Sequence, residues 1–122
     1  EQPNMNLRGC FETDDNGYYA LRCLRPTNYP IPDDGPGGDL LELLARHPMR
    51  AAHIHFMISA NEHEPLIAQL YDAADPYTDN DSIFAVKDAL IATFDPAPAD
   101  LDVNFVVRYD WSLHLMPAVV AA

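Results

Sequence analysis

Polar and apolar side chains alternate along residues 52–58, which read Ala-His-Ile-His-Phe-Met-Ile. Successive side chains of an extended strand point to opposite faces of a sheet. The alternation therefore predicts a strand with His53 and His55 on one face, and with Ile54 and Phe56 on the other face, in the core. Two imidazoles on one face of a strand can bind a single metal ion or serve as hydrogen-bonded structural residues, and both interpretations remain open.

Tyr29 lies in a proline-rich loop that is stiff enough to fix the direction of its side chain. Residues 25–38 contain four prolines and three glycines, a composition that we expect to exclude a helix or a central strand. A phenolate beside two imidazoles favours a hard, oxidised ion, and ferric iron fits this donor set better than zinc or copper(I). A bound cation also offsets the cost of deprotonating a phenol. Taken alone, Tyr29 is better explained as an ordinary packed tyrosine.

Two further polar residues are candidates for the same cavity. Arg50 precedes His53 by three residues, and Gln69 lies on a neighbouring predicted strand at residues 66–71. Arg50 could supply positive charge near anionic oxygens or form a surface salt bridge. Gln69 could hydrogen-bond a substrate oxygen or a backbone group.

Three other histidines have weaker claims to a metal ion. His47 is predicted to end a helix, where a positive charge suits the helix dipole. His63 lies in a predicted turn, and His114 lies near the end of the last predicted strand.

The rest of the chain is predicted to form short strands and one helix. We expect a hairpin around an Asn-Gly turn, further strands and a helix over the following ranges: strands at 7–13, 18–24, 90–94 and 103–115, and the helix at 39–47. Asp39 is the candidate N-cap of the helix, and Leu40, Leu43 and Leu44 form its predicted buried stripe. About six strands and one short helix point to an all-β sandwich that forms a single domain over residues 1–122.

The positions of the two cysteines depend on the register of the predicted hairpin. If Asp15 pairs with Tyr18 across a two-residue turn, Cys10 lies opposite Cys23. A longer turn or a bulge would break that register. Two cysteines do not indicate a secreted disulfide framework, and we expect packed thiols in a cytoplasmic protein.

The charge balance argues against two classes of partner. The chain has 19 Asp and Glu residues and 7 Lys and Arg residues, which gives a formal net charge of −12. Nucleic acids and acidic membranes both attract basic surfaces, so we expect neither as a partner. No apolar run approaches the roughly 18 residues of a membrane span, and no signal peptide is recognisable.

Five short motifs follow one another along the chain: Leu7-Arg8-Gly9, the Asp-Asn-Gly-Tyr turn, the segment from Tyr29 to Pro36, Ala45-Arg46-His47-Pro48, and the run from Arg50 to Phe56. Their order resembles that of the intradiol ring-cleavage dioxygenases, and it is most similar to the hydroxyquinol 1,2-dioxygenase branch. The interval of 24 residues between Tyr29 and His53 is similar to that of the catechol branch.

The resemblance implies a non-haem Fe(III) enzyme that uses O2 to open a catechol-type ring, in hydroxyquinol or catechol, to a dicarboxylate. It implies that Tyr29, His53 and His55 bind the iron, and that Tyr29 leaves the iron when the aromatic diol or triol binds. It also implies that Arg50 stabilises a carbanion-like substrate and that Gln69 lies just behind the ligands. The implied fold is a β-sandwich with the iron between loops at its edge.

The N-terminal side of the chain departs from this family. The family's iron carries a second tyrosinate from well before the motif at residues 7–9, but only six residues precede Leu7 and none is a tyrosine. The helical N-terminal region through which the catechol branch forms homodimers is also absent, and Ala51 stands where the family usually has proline. We therefore expect the C-terminal part of such an enzyme, or a natural truncation, with low or no turnover by these 122 residues alone. The alternatives are a non-catalytic β-sandwich binding module and a His-X-His zinc enzyme with a bound water.

Overall fold

The structure is a computed structural model that describes residues 3–117, and most of these residues lie outside helices and strands. One α-helix, α1, spans Pro36–Leu43, and 3₁₀ turns span Thr78–Asn80 and Asp88–Leu90. The described strands are β1 (Tyr29–Pro30), β2 (Met49–Arg50), β3 (His53–Ile58), β4 (Leu66–Asp72), β5 (Ile91–Ala92), β6 (Asp95–Pro96) and β7 (Phe105–Val106). The prediction of a mostly non-helical chain with one short helix is confirmed.

The described strands form three small sheets. β1 pairs with β2, and β6 pairs with β7, both antiparallel. The largest sheet has the order β3-β4-β5, in which β3 and β4 are antiparallel and β5 joins β4 in parallel. Within this sheet His53 lies opposite Tyr71, and His55 lies opposite Gln69. Because alternate residues of a strand share a face, these four side chains lie on one face of the sheet.

The buried core is small. It lies where β3 begins and β4 ends, beside His53. Its buried apolar residues are Ala51, Ala52, Leu70, Tyr71 and Ala92. The two residues predicted to face the core, Ile54 and Phe56, are half-buried. The ring of Phe56 packs against that of Trp111, with 4.9 Å between centroids. Small side chains and polar groups therefore fill much of the interior.

The predictions for residues 52–58 and 66–71 are confirmed by β3 and β4. Of the strand predicted at 90–94, only the two residues of β5 form a strand. Of the long strand predicted at 103–115, only the two residues of β7 and an isolated bridge between Leu115 and His63 form. A strand needs a partner for its backbone hydrogen bonds, and side-chain alternation does not supply one. Residues 103–115 therefore alternate in sequence without forming one continuous strand.

The hairpin turn is one residue longer than predicted. The N–H of Asp14 donates to the carbonyl of Tyr18 at 2.9 Å, which leaves three residues in the loop. The Asp14 carboxylate accepts from the N–H groups of Asn16 and Tyr18, at 2.9 and 2.8 Å. Gly17 has φ of 79°, the left-handed conformation that a three-residue hairpin loop requires and that glycine adopts without strain.

Three predictions for this hairpin are wrong. With Asp14 opposite Tyr18, Cys10 no longer lies opposite Cys23. Both thiols are free and exposed rather than packed. Residues 7–13 and 18–24, which we predicted as strands, form no regular strand, because they do not make a continuous ladder of backbone hydrogen bonds.

Helix α1 begins three residues before the predicted start and ends four residues before the predicted end. Pro36 lies in the first turn, where the missing N–H costs nothing and the fixed φ suits a helix. Gly35 is the N-cap, so Asp39 lies in the first turn instead of capping the helix. The predicted loop at 25–38 therefore overlaps the helix, and the same loop also contains β1. Within residues 3–117, no helix has the length and apolar character that crossing a membrane requires.

The predicted buried stripe of the helix is exposed. Leu40, Leu43 and Leu44 are all among the exposed large apolar residues, and Leu43 is 81% exposed. The periodicity places these leucines together, but no described segment packs over them. His47 lies beyond the end of α1, where its Nδ1 accepts from the N–H of Met49 at 3.1 Å and its ring packs against Tyr77. The prediction that His47 caps the helix is therefore wrong.

Gly38 is the position in α1 where a side chain is expected to be least tolerated. A Cβ atom there would overlap the backbone carbonyl of Asp33. We expect Gly38→Ala to lower the free energy of unfolding by about 1–3 kcal/mol, the usual cost of overpacking, as measured by urea denaturation. Gly37→Ala is the control, because its Cβ meets open space and alanine favours a helix by about 1 kcal/mol. Equal stabilities of the two variants would contradict this assignment.

Candidate metal centre

Strand β1 carries Tyr29 to the histidine strand. Tyr29 pairs with Arg50 on β2, and the N–H of Ile31 donates to the carbonyl of Pro48 at 3.0 Å. Arg50 is three residues before His53 in the chain. The pairing of β1 with β2 therefore sets Tyr29 beside the beginning of β3, although 24 residues separate Tyr29 from His53.

The phenol of Tyr29 and the imidazole of His53 face each other. The Tyr29 hydroxyl oxygen lies 3.5 Å from Nε2 of His53. When two ligand atoms each lie about 2.0–2.1 Å from one metal ion and the angle between the two bonds at the ion is about 90–120°, the two atoms lie about 3–3.6 Å apart. The spacing thus fits two ligands of one metal ion. The ring of His55 is 4.9 Å from that of His53, between centroids, on the same face of β3.

The hydrogen bond on the other side of the His53 ring leaves Nε2 available as a ligand. Nδ1 lies 2.6 Å from the carbonyl oxygen of Ala51, and a carbonyl only accepts, so Nδ1 carries the proton. Burial lowers the pKa of His53 below its ordinary value, and the positive charge of Arg50 lowers it further. The imidazole is therefore neutral near pH 7, and its unprotonated Nε2 faces the Tyr29 hydroxyl. Metal ligation requires this form of histidine.

Arg50 is buried next to Tyr29 and His53 and does not form the surface salt bridge that was its alternative. Its Nε donates to Oδ1 of Asp81 at 2.8 Å, an ion pair in which both side chains are almost fully buried. Its Nη2 donates to Oε1 of Gln69 at 2.9 Å and lies 3.3 Å from the Tyr71 hydroxyl. Arg50 thus connects the start of β3 with the polar face of β4.

Asp81 keeps its negative charge despite its burial. Burial by itself raises the pKa of Asp81, but the N–H of Ala85, the Arg50 guanidinium and the N–H of Ala51 outweigh that effect and hold the pKa below its ordinary value. The two N–H groups donate to the carboxylate at 3.0 Å each. Asp81 is therefore the counter-ion that makes a buried, charged Arg50 possible.

Tyr71 is a hydrogen-bond donor in this group. Its hydroxyl donates to Oε1 of Gln69, on the same face of β4. Burial raises the pKa of Tyr71 above its ordinary value, so the phenol stays protonated. The Tyr71 ring lies 5.4 Å from that of His53 and forms one wall beside the imidazole.

The structure brings together all five residues that the sequence singled out. Tyr29, His53 and His55 supply donor atoms on one side, and Arg50 and Gln69 form a hydrogen-bonded pair beside them. Within residues 3–117 no three His, Cys, Asp or Glu side chains come together as a metal site, so a metal bound by His53 and His55 would have to take the Tyr29 phenol or a non-protein group as its further ligand. The Tyr29 phenol, 43% exposed, and the exposed His55 leave the donor set open to solvent.

Sequence reasoning missed Asp81 and Tyr71. Tyr71 could have been found, because it follows Gln69 by two residues on a predicted strand and therefore shares its face. Asp81 carries no such signal, since it lies in an acidic loop 31 residues after Arg50. His63 and His114 lie at the other end of the sheet, where the N–H of Glu64 donates to the His114 carbonyl at 2.8 Å.

The ion pair of Arg50 and Asp81 predicts a loss of stability in acid. The folded state holds the pKa of Asp81 below its ordinary value, so ionised Asp81 contributes its full stability above about pH 4, the pKa region of an unperturbed aspartate. That contribution is lost as the pH falls through the lower, folded pKa. We expect the free energy of unfolding, measured with urea at a series of pH values, to fall below about pH 4.

Removing the titrating group tests this assignment. Asp81→Asn is expected to be less stable than the wild type at pH 7 and to show a shallower acid loss. Asp102→Asn is the control, because that carboxylate is 99% exposed and lies 3.4 Å from Arg22. An unchanged acid slope in Asp81→Asn would show that other carboxylates cause the loss.

The chain matches known proteins over almost its whole length. A family model described as Dioxygenase matches residues 1–117. A catechol 1,2-dioxygenase of Candida albicans is 53% identical over 116 residues, which cover 91% of this chain and 38% of that protein. A hydroxyquinol 1,2-dioxygenase of a Rhizobium species is 42% identical over 115 residues, which cover 92% of this chain and 39% of that protein.

The fold matches solved structures of the same kind. The structure of a hydroxyquinol 1,2-dioxygenase from Pseudomonas putida superimposes with a TM-score of 0.88 and 35% sequence identity. The match covers 94% of this chain and 43% of that one. The chain thus spans about two fifths of the length of the proteins it resembles.

Proposed function

Because the chain belongs to this dioxygenase family, we propose that it forms the iron-binding part of an intradiol ring-cleavage dioxygenase. The substrate class is a catechol or hydroxyquinol, and the reaction inserts both atoms of O2 to give a ring-opened dicarboxylate. One observation carries the proposal: the Tyr29 hydroxyl lies 3.5 Å from Nε2 of His53, the ring nitrogen that carries no proton. The chain spans about two fifths of its relatives, so the activity is proposed for the whole protein that contains it.

Tyr29, His53 and His55 are the proposed ligands of a ferric ion. When bound, ferric iron would act as a Lewis acid and template for the two oxygens of the catechol. The hydrogen bond from Nδ1 of His53 to Ala51 holds the imidazole ring so that Nε2 faces the Tyr29 oxygen. The exposed Tyr29 side chain has room to turn away, and its oxygen can then take a proton from a catechol hydroxyl.

Arg50 and Gln69 are proposed to act on the substrate rather than on the ion. Arg50 carries a fixed positive charge beside the ligands, where it would stabilise negative charge that develops on the ring. The Oε1 atom of Gln69 is occupied by Arg50 and Tyr71, so its amide N–H groups remain to donate to a substrate oxygen. Both side chains are held by hydrogen bonds before any substrate arrives.

The architecture and assembly of the whole protein are part of the same proposal. We propose a β-sandwich catalytic domain, to which the three sheets of this chain contribute, and a homodimer formed through N-terminal helices. The structural match to a hydroxyquinol 1,2-dioxygenase supports the first of these. A cytoplasmic location is also proposed, and the two free thiols suit a reducing compartment.

Oxygen uptake by the ferric protein is the direct test. The full-length protein, loaded with Fe(III), is expected to consume one O2 per catechol or hydroxyquinol and to form one dicarboxylate, identified by mass spectrometry. The zinc-loaded protein is the matched control and should do neither. Turnover with zinc would favour a His-X-His zinc enzyme, and binding of catechol without turnover under either metal would favour a non-catalytic module.

A further inference from the structure

The carboxylate of Asp81 joins two segments of the chain. Oδ1 accepts from Nε of Arg50 at 2.8 Å and from the N–H of Ala51 at 3.0 Å. Oδ2 accepts from the N–H of Ala85 at 3.0 Å. The side chain of Asp81 is 1% exposed, so three donors and no solvent determine its position. Ala51 leads into the histidine strand, and Ala85 belongs to the loop that carries Asp81 itself.

Fixing Nε of Arg50 fixes the plane of the whole guanidinium, because the group is rigid and planar. In the plane that Asp81 sets, Nη2 donates to Gln69 and lies 3.3 Å from the Tyr71 hydroxyl. Within residues 3–117, Nη1 of Arg50 has no hydrogen-bond partner, and it is not among the buried atoms that lack one, so it keeps some contact with solvent. Nη1 is therefore the amino group of Arg50 that is left for a ligand.

We propose that Asp81 is a positioning residue for the ring-cleavage reaction, which it serves by holding the Arg50 guanidinium with Nη1 directed at the substrate. Within residues 3–117, the Asp81 carboxylate accepts no hydrogen bond from the proposed ligands, and Arg50 lies between it and the site. This inference rests on the proposed function of the same site. The inference assigns a role to Asp81, which lies in the loop after β4 and belongs to none of the sequence motifs that carry the family resemblance.

A second buried aspartate provides a matched control. Asp72 is buried, and its carboxylate accepts from Nε of Arg25 at 2.7 Å, in the same way as Asp81 accepts from Arg50. The guanidinium of Arg25 packs over the rings of Phe94 and Phe105, at 5.3 and 4.4 Å, and hydrogen-bonds none of the proposed site residues. The side chain of Arg25 is 33% exposed, so a variant of Asp72 measures what the loss of a buried carboxylate and its arginine partner does without involving the site.

Steady-state kinetics of the iron-loaded, full-length protein test the role of Asp81. In Asp81→Asn we expect kcat to fall about 10- to 100-fold, which is less than the fall expected when a charge-stabilising donor is removed altogether. We expect KM to change less than about 3-fold. In an Arg50→Lys background, adding Asp81→Asn should lower kcat by less than about 2-fold, because the two residues act as one unit. Asp72→Asn should keep kcat within about 2-fold of the wild type.

A measurement on the apoprotein reports positioning without turnover. In ¹⁵N-labelled wild type, the Nε–H signal of Arg50 should exchange with water at least about 10-fold more slowly than that of the exposed Arg22, because Nε is buried and bonded to a carboxylate. Asp81→Asn should remove that protection, and Asp72→Asn should not. The proposal can still be tested if Asp81→Asn is too unstable for kinetics. It requires slow exchange of the Arg50 Nε–H in the wild type, which can be measured without the variant.

The outcomes separate this inference from the proposed function. Wild-type turnover with kcat of Asp81→Asn unchanged, or lowered no more than that of Asp72→Asn, would overturn the role of Asp81 and leave the ring-cleavage proposal standing. Additive effects of Asp81→Asn and Arg50→Lys on kcat, or rapid Nε–H exchange in the wild type, would overturn it too. Absence of wild-type turnover would overturn both proposals.

Discussion

The ferric form of Tyr29→Phe is expected to be colourless, whereas the ferric wild-type chain of 122 residues is expected to be red-brown. The colour of such a site arises from charge transfer between a tyrosinate and Fe(III), so it requires the phenol oxygen. We also expect iron affinity to fall by about 100-fold or more, because substitution of a residue that only hydrogen-bonds a ligand already lowers metal affinity about 10- to 100-fold. Absorption spectra and a competition titration with a chelator measure the two effects.

Tyr18→Phe is the control for this change. Tyr18 is 70% exposed in the hairpin turn, and its side chain makes no described contact with the histidines. It should therefore keep both the colour and the affinity. Colour that survives in Tyr29→Phe, or that disappears in Tyr18→Phe, would remove Tyr29 from the ligand set.

Arg50→Leu is expected to destabilise the fold by about 3–5 kcal/mol, the usual cost of breaking a buried ion pair by removing one partner. Asp81 is 1% exposed, so the substitution would leave its carboxylate buried without a counter-ion. Urea denaturation at pH 7 measures the change. Arg22→Leu removes an exposed pair with Asp102, at 3.4 Å, and should cause no measurable change.

A second substitution separates the buried charge from the lost packing. Adding Asp81→Asn to Arg50→Leu should restore part of the lost free energy, because a neutral amide oxygen can still accept from the N–H of Ala51 and needs no counter-ion. A loss below about 1 kcal/mol in Arg50→Leu, as for a surface pair, would contradict the assignment of a buried pair. So would a double variant that is less stable than the single one.

Predictions from residue patterns are most accurate for features that depend only on residues close together in the chain. β3 matches the alternating residues 52–58 to within one residue, because alternation follows from the geometry of a strand alone. β4 matches the strand predicted at 66–71 to within one residue, although polar and apolar residues do not alternate along it. The predicted start of α1 is three residues late, because a proline-rich composition predicts a loop, whereas proline is favoured in the first turn of a helix. The hairpin register failed because a carboxylate, that of Asp14, stabilises a three-residue loop.

Burial was predicted least well, because it depends on what packs over a segment. Leu40, Leu43 and Leu44 lie at helical spacing, yet they are exposed. Both cysteines were expected to be packed and are exposed as well. Periodicity assigns residues to a common face, but it does not specify the segment that covers that face.

Sequence alone determined the strand of His53 and His55 and their common face, since both follow from the local geometry of an extended chain. Only the tertiary structure decided that Asp81 would neutralise Arg50 and that the guanidinium would bridge Gln69 and Tyr71. The physical reason is distance along the chain. Asp81 and Arg50 are 31 residues apart, and the path of the intervening loop, which no local pattern specifies, brings the two charges into contact.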